Sequence, residues 1–182
     1  EKLIDLAAKA GQALLDFGKD SVESAAEVSA ENSAFGQIMG GYSGEAQKKM
    51  QGIADSTGVL STRLTGSMTS MTAKFKGLGF GIEDATDLAA KGLYMASDAA
   101  AFCDVSLDES MGHLNSFING SYEGGEAIGL FANDTQMAAY AVEKGIVSET
   151  KAWANLDEAT KQATRLDYAQ WMLDNSGATG QA

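Results

Sequence analysis

The chain has 182 residues, 45% of them hydrophobic, a formal net charge of −12 and no proline. The apolar fraction is enough for a real core and excludes wholesale disorder; the acidic balance, with a pI of about 4.4, argues against a grip on nucleic acid or anionic lipid. With proline absent, helix breaks fall to the 21 glycines and to Ser, Asn and Asp caps, which predicts an all-α chain of several helices joined at glycine-rich turns, as a helical bundle or an elongated array.

A long N-terminal helix is predicted within residues 1–35. Leu3, Ala7, Ala10, Leu14 and Phe17 alternate steps of four and three, a coiled-coil-like stripe. Gly11 and Gly18 within it each weaken the helix by about 1 kcal/mol relative to Ala. Residues 36–41, Gly-Gln-Ile-Met-Gly-Gly, read as a joint, after which Ser43 is the expected cap of a helix over 45–57 closed by Gly58. The next helix starts near Ser61, with Leu64, Met68, Met71, Phe75 and Leu78 as its apolar face, and residues 77–81 form a second joint.

A helix over 82–102 opens with Glu83 and Asp84, which suit the positive end of its dipole. Leu93, Met95, Ala96, Ala99 and Phe102 lie on it at helical spacing. Asp104-Val105-Ser106 breaks the chain, and Ser106 with Glu109 forms a capping box for the next helix: the hydroxyl accepts from an unpaired backbone N–H and the Glu reaches back. Leu107, Met111, Leu114 and Ile118 line one face of that helix, and Gly120 ends it. A glycine-broken stretch runs to Gly129. Asn133 or Asp134 caps a helix ending at Gly145, and a final helix over 157–175 turns Ala159, Ala163, Leu166, Ala169, Gln170 and Leu173 inward before a polar, flexible end. Apolar/polar alternation never persists long enough for a strand.

The order and spacing of several pieces resemble the core region of phage tail tape measure proteins. The pieces are Asp98-Ala99-Ala100-Ala101-Phe102, the Asp104-Val105-Ser106 break, Asp108-Glu109-Ser110 running through Leu114 and Ser116 to Gly120, and Ile128-Gly129-Leu130 after Glu126. Upstream, Ala26-Glu27-Val28 and Ala34-Phe35-Gly36 are similar to the family's entry segment. Downstream, residues 156–162 (Leu-Asp-Glu-Ala-Thr-Lys-Gln) and 176–182 (Ser-Gly-Ala-Thr-Gly-Gln-Ala) are similar to its later run. The chain departs from the pattern at Cys103 and at the doubled Gly124-Gly125.

The resemblance implies a single all-helical segment, 1–182, of a longer protein: an N-terminal helix over 1–35, family core helices over 43–145, and a C-terminal helix with a flexible end over 146–182. The start at Glu1 and the polar finish are expected on that reading. It implies a structural role in tail length determination and tail tube assembly. The expected partners are other copies of itself, tail tube and tail tip proteins, and tail assembly chaperones; the expected location is the virion tail, and the host cytoplasm during assembly. A helix rises about 1.5 Å per residue, so 182 residues in one rod would span about 270 Å. The glycine joints predict helices folded back instead, and so a docking or terminal part rather than the ruler rod. The alternative is a soluble helical interaction module with no tail role, whose apolar stripe takes a partner helix.

An enzyme is not expected. A hydrolase would need paired carboxylates across a cleft or a metal site. His113 is the only histidine and Cys103 the only cysteine, so no zinc set, catalytic triad or internal disulfide can be read; a lone Cys fits a reducing compartment at synthesis. Asp104 to Asp108 begins like a calcium loop, but its sixth and twelfth places hold Glu109 and Asn115 instead of Gly and Glu, and a helix cap explains the residues better. Gly77-x-Gly79-x-Gly81 lacks the spacing and strand of a dinucleotide loop. Gly36/Gly40, Gly120/Gly124 and Gly125/Gly129 match small-residue dimer spacing, which has force only inside a membrane helix. The basic clusters Lys48-Lys49 and Lys74-Phe75-Lys76 are too small to bind phosphates, and no run approaches the apolar length of a membrane span. Eight methionines read as adaptable core filler; Trp153 and Trp171 read as anchors of core or interface. No catalytic, cofactor or metal residue is therefore assigned.

Overall fold

The computed structural model describes residues 31–182, and they are helical with no strand among them. The stripe from Leu3 to Phe17, and most of the helix predicted over 1–35, lie outside the described residues. Residues 31–39 are helical and pass through a short 3-10 turn, Gly40–Tyr42, into the first of six α-helices: α1 Ser43–Thr57, α2 Ser61–Gly77, α3 Ile82–Cys103, α4 Leu107–Ile118, α5 Asp134–Glu143 and α6 Glu158–Ser176. Two more 3-10 segments, Tyr122–Ile128 and Thr150–Asn155, flank α5.

The helices fold back on one another around α3, which packs against α1, α2, α4 and α6 and the Tyr122–Ile128 segment. Its sequence explains the central place. Ala85, Ala89, Gly92, Ala96 and Ala99 recur at steps of four and three, all of them buried. A stripe of small residues lets neighbouring helices approach closely; a Cβ on Gly92 would stand 2.6 Å from Met71 Cε. The α2 stripe Leu64, Met68, Met71 and Phe75 is buried against it as predicted, while Leu78 caps the helix half-buried. Seven of the eight methionines are buried, and Met172 is half-buried against the core. No described helix is long and apolar enough to cross a membrane.

The helix ends follow the local chemistry. Ser106 Oγ accepts from the Glu109 amide, and the Glu109 carboxylate accepts from the Ser106 amide at 3.0 Å, completing the capping box. The Ser106 backbone and hydroxyl hydrogen bonds hold the Glu109 carboxyl below its usual range. Gly120 (φ +93°) closes α4: its own N–H reaches the Phe117 carbonyl and the Ser121 N–H reaches Ser116 at 3.0 Å, a Schellman closure that demands a left-handed residue. Asn133 and Asp157 cap α5 and α6 by accepting from the amides of Gln136 and Thr160.

Three expectations are corrected. Residues 36–39 are not a joint: Phe35 and Met39, one helical turn apart, are both buried and hold the turn, so the break is confined to Gly40. Ser43 does not cap α1. The 3-10 turn already gives its amide a partner in the Gly40 carbonyl, so Ser43 sits in helical geometry and its hydroxyl donates to that same carbonyl at 2.7 Å. Phe102 shares the spacing of Met95 and Ala99, which are buried, but is itself 51% exposed in the last turn before Asp104 (φ +55°) redirects the chain. On α6, Leu166, Ala169 and Leu173 face inward as expected. Ala159, Ala163 and Gln170 are only half-buried, because the inward face is shared with the larger Arg165 and Tyr168.

Candidate functional site

Two polar constructions stand out against this apolar bundle. The first is built around Arg165, whose side chain is 8% exposed. From α6 it donates to the Ile118 carbonyl at the end of α4, to Glu158 two turns back, and through Nε to Tyr122 Oη at 3.3 Å. Its guanidinium lies over the rings of Tyr122 and Trp153, 5.8 and 5.7 Å from their centroids. Asp134 completes the group by accepting from Tyr122 Oη at 2.8 Å and from the Trp153 indole at 3.4 Å. One cation thus ties together α4, both 3-10 segments and α6. Burial raises the Tyr122 hydroxyl above its ordinary value despite the opposing hydrogen bond with Arg165.

Lys74 borders the same group from α2. Its ammonium has one long hydrogen bond, 3.4 Å to Asn115 Oδ1. Burial pushes it down to about 8; nearby Glu158 opposes that shift and Arg165 adds to it. The sign of the consequence is fixed. The folded chain releases this proton near pH 8 and the unfolded chain only near 10.5, so the unfolded state binds more protons between those values and this group makes stability rise with pH. Lys74→Met is therefore expected to stabilise the fold at pH 7, by about 1 kcal/mol once water screening of a half-exposed ammonium is allowed for. The gain should shrink toward pH 9.5. Urea melts of both proteins at the two pH values check this, and a gain that does not change with pH would refute the assignment.

The second construction is a groove of about 580 Å³ between the α1–α2 turn and the α3–α4 turn, with Gln181 and Ala182 on one side. Beside it lies Asp98, 2% exposed on α3. Its two oxygens accept backbone N–H groups, Oδ2 from Gly180 at 2.9 Å and Oδ1 from Ala182 at 3.1 Å. Ala178 is fully buried, so residues 177–182 fold back onto the bundle. Of the polar side chains lining the groove, Ser97 donates to the Leu93 carbonyl and Ser106 belongs to its helix cap. The arrangement holds backbone, and its walls are largely apolar.

The residues singled out from sequence fall in structural places. Asp104 ends α3 and Ser106 caps α4. Among the described residues no group of three or more His, Cys, Asp or Glu is placed to hold a metal. His113 donates from Nδ1 to the Gly124 carbonyl at 2.7 Å. Cys103 is half-buried against the core. Lys48 pairs with Glu45, Lys49 with Asp87, Lys74 turns to Asn115 and Lys76 donates to the Ile38 carbonyl, so the two short basic clusters are divided among separate partners. Trp153 belongs to the core, and Trp171 is 44% exposed at the end of an aromatic run through Tyr168 and Tyr140. Sequence reasoning missed Arg165 and Asp98, since a charged residue on a helix reads as solvent-facing. The one available signal was position: Asp98 lies among Ala96, Ala99 and Ala100, and Arg165 beside Leu166 and Tyr168.

No protein-family model, curated protein or solved structure matches the chain.

Proposed function

We propose that this chain is a structural segment of a phage or prophage tail tape measure protein, and that it serves as a docking part rather than as ruler rod. The observation that carries the reading is the ordered set of tape-measure-like pieces along the sequence. Two neighbouring pieces and one distant in the chain border one place in the fold: the piece at 98–102 holds residues 180 and 182, and the break at 104–106 lines the same groove. The docking part of the reading is supported by length. The longest described helix, α3, has 22 residues and spans about 33 Å. A compact body of such helices converts chain length into distance poorly.

The test is an in-frame deletion of residues 31–182 from the gene, with tails counted and measured by electron microscopy. Failure of tail assembly, with the remaining protein still present, is the expected result. Tails shortened by about 230 Å, the helical length of that stretch, would make the segment part of the ruler and overturn the docking assignment. Normal numbers of normal-length tails, or a source that makes no tail-like particle, would overturn the tail reading. The second reading, a helical interaction module, is favoured by the exposed Trp171 and Phe131, 44% and 54% accessible. Aromatic residues of this kind are enriched at protein interfaces.

A further inference from the structure

We propose that Met172 is a reversible oxidation site, at which a hydroperoxide converts the thioether to the sulfoxide and releases the Phe131 backbone amide from α6. The inference is independent of the tail reading.

Met172 differs from the other methionines in two respects. The first is access. Of the eight, seven are at most 5% exposed, and Met172 alone is half-buried at the edge of the core. An oxidant that does not enter the core therefore meets one thioether. The second is the use made of its sulfur. The Phe131 N–H donates to Met172 Sδ at 3.1 Å, in a hydrogen bond that lies at the protein surface. One turn back on the same helix, Tyr168 Oη donates to the Phe131 carbonyl at 3.2 Å. Both backbone polar groups of residue 131 are thus tied to α6, in the connection between the Tyr122–Ile128 segment and α5. The Phe131 side chain is 54% exposed, so these two bonds rather than side-chain burial hold the residue, while Leu130 before it is fully buried.

The step is a two-electron oxygen transfer. A sulfur lone pair attacks one peroxide oxygen, the S–O bond forms as the O–O bond breaks, and the other oxygen leaves with both protons as water, or as an alcohol from an alkyl hydroperoxide. Sulfur is oxidised and the peroxide reduced, with no further reactant. One of the two lone pairs faces the Phe131 N–H; the other takes the oxygen. The sulfoxide sulfur carries partial positive charge and no longer accepts the amide, which turns to water. Residue 131 is then left on the Tyr168 bond alone. Because one lone pair is covered, one sulfoxide epimer forms in excess, and the reductase specific for that epimer restores the thioether.

The test treats the folded full chain with hydrogen peroxide and maps oxidation by peptide mass spectrometry, which separates Met172 from Cys103. Met172 should oxidise at least about tenfold faster than any other methionine. Hydrogen exchange at the Phe131 amide should then rise at least about tenfold, with the α3 amides unchanged. One of the two stereospecific methionine sulfoxide reductases should return it to its first value, and the other should not. Met172→Leu keeps the volume and removes the acceptor, so it should raise Phe131 exchange without peroxide and make it insensitive to peroxide. A buried methionine oxidised first, Phe131 exchange unmoved by oxidation or by Met172→Leu, or equal repair by both reductases would overturn the proposal.

Discussion

Arg165→Ala is expected to lower stability by about 3–5 kcal/mol, the range for removing one partner from a buried ionic network. Several contacts go at once: the Ile118 carbonyl and Tyr122 Oη lose their donor, Glu158 loses its ion pair, and the rings of Tyr122 and Trp153 lose the cation beside them. The carbonyl matters most, because a buried acceptor without a donor carries its full desolvation cost. Arg165→Lys should recover only part of the loss. A lysine keeps the charge, but one ammonium cannot replace the planar fork that reaches Ile118 and Tyr122 from different nitrogens. Urea melts give the size of the effect. Near-UV circular dichroism gives its place, since the signal of Trp153 should weaken before helix content falls. A loss under 1 kcal/mol in Arg165→Ala would mean that the 3-10 segments are held by apolar packing alone.

That result bears on what the sequence can express. The all-α class, the start of α2, the cap at Ser106 and the choice of Asn133 or Asp134 as the cap of α5 are legible because each depends on residues a few positions apart. A hydroxyl and a glutamate three residues on need nothing from elsewhere in the chain. The 3-10 segment Thr150–Asn155 was not foreseen, and its cause is tertiary. Trp153 is buried because Arg165 and Asp134 receive it, from positions far along the chain. Asp98 is illegible as a buried anchor because its hydrogen-bond partners lie 82 and 84 residues away. The candidate groove was illegible for the same reason: its walls come from two turns and the 181–182 pair. The end expected to be flexible holds the fully buried Ala178, and composition alone does not register such an anchor.

Gly124→Ala and Gly125→Ala are each expected to destabilise by about 1–3 kcal/mol, although alanine is the mildest replacement available. The doubled glycine has a steric reason. The Tyr122–Ile128 segment lies directly on α4. A Cβ on Gly124 would stand 2.5 Å from Ser116 Cβ, and one on Gly125 would stand 2.8 Å from Phe117 Cδ2 and 3.0 Å from Leu130 Cβ. Neither Ser116 Cβ nor Leu130 Cβ can move by side-chain rotation, so backbone must shift. At Gly124 that shift also lengthens the hydrogen bond from His113 Nδ1 to its carbonyl. At Gly125 it disturbs Phe117, which packs against Tyr122 and Tyr168 and supports the aromatic run. Gly112→Ala is the matching control. It sits inside α4 with nothing near its added Cβ, so the better helix former should stabilise by about 0.5–1 kcal/mol. Thermal melts of the three variants decide between two accounts of glycine in this chain. If all three respond alike, glycine acts only through helix propensity. If Gly112→Ala gains while Gly124→Ala and Gly125→Ala lose, the doubled glycine is a contact surface, required where a 3-10 segment must lie against a helix with no side chain between them.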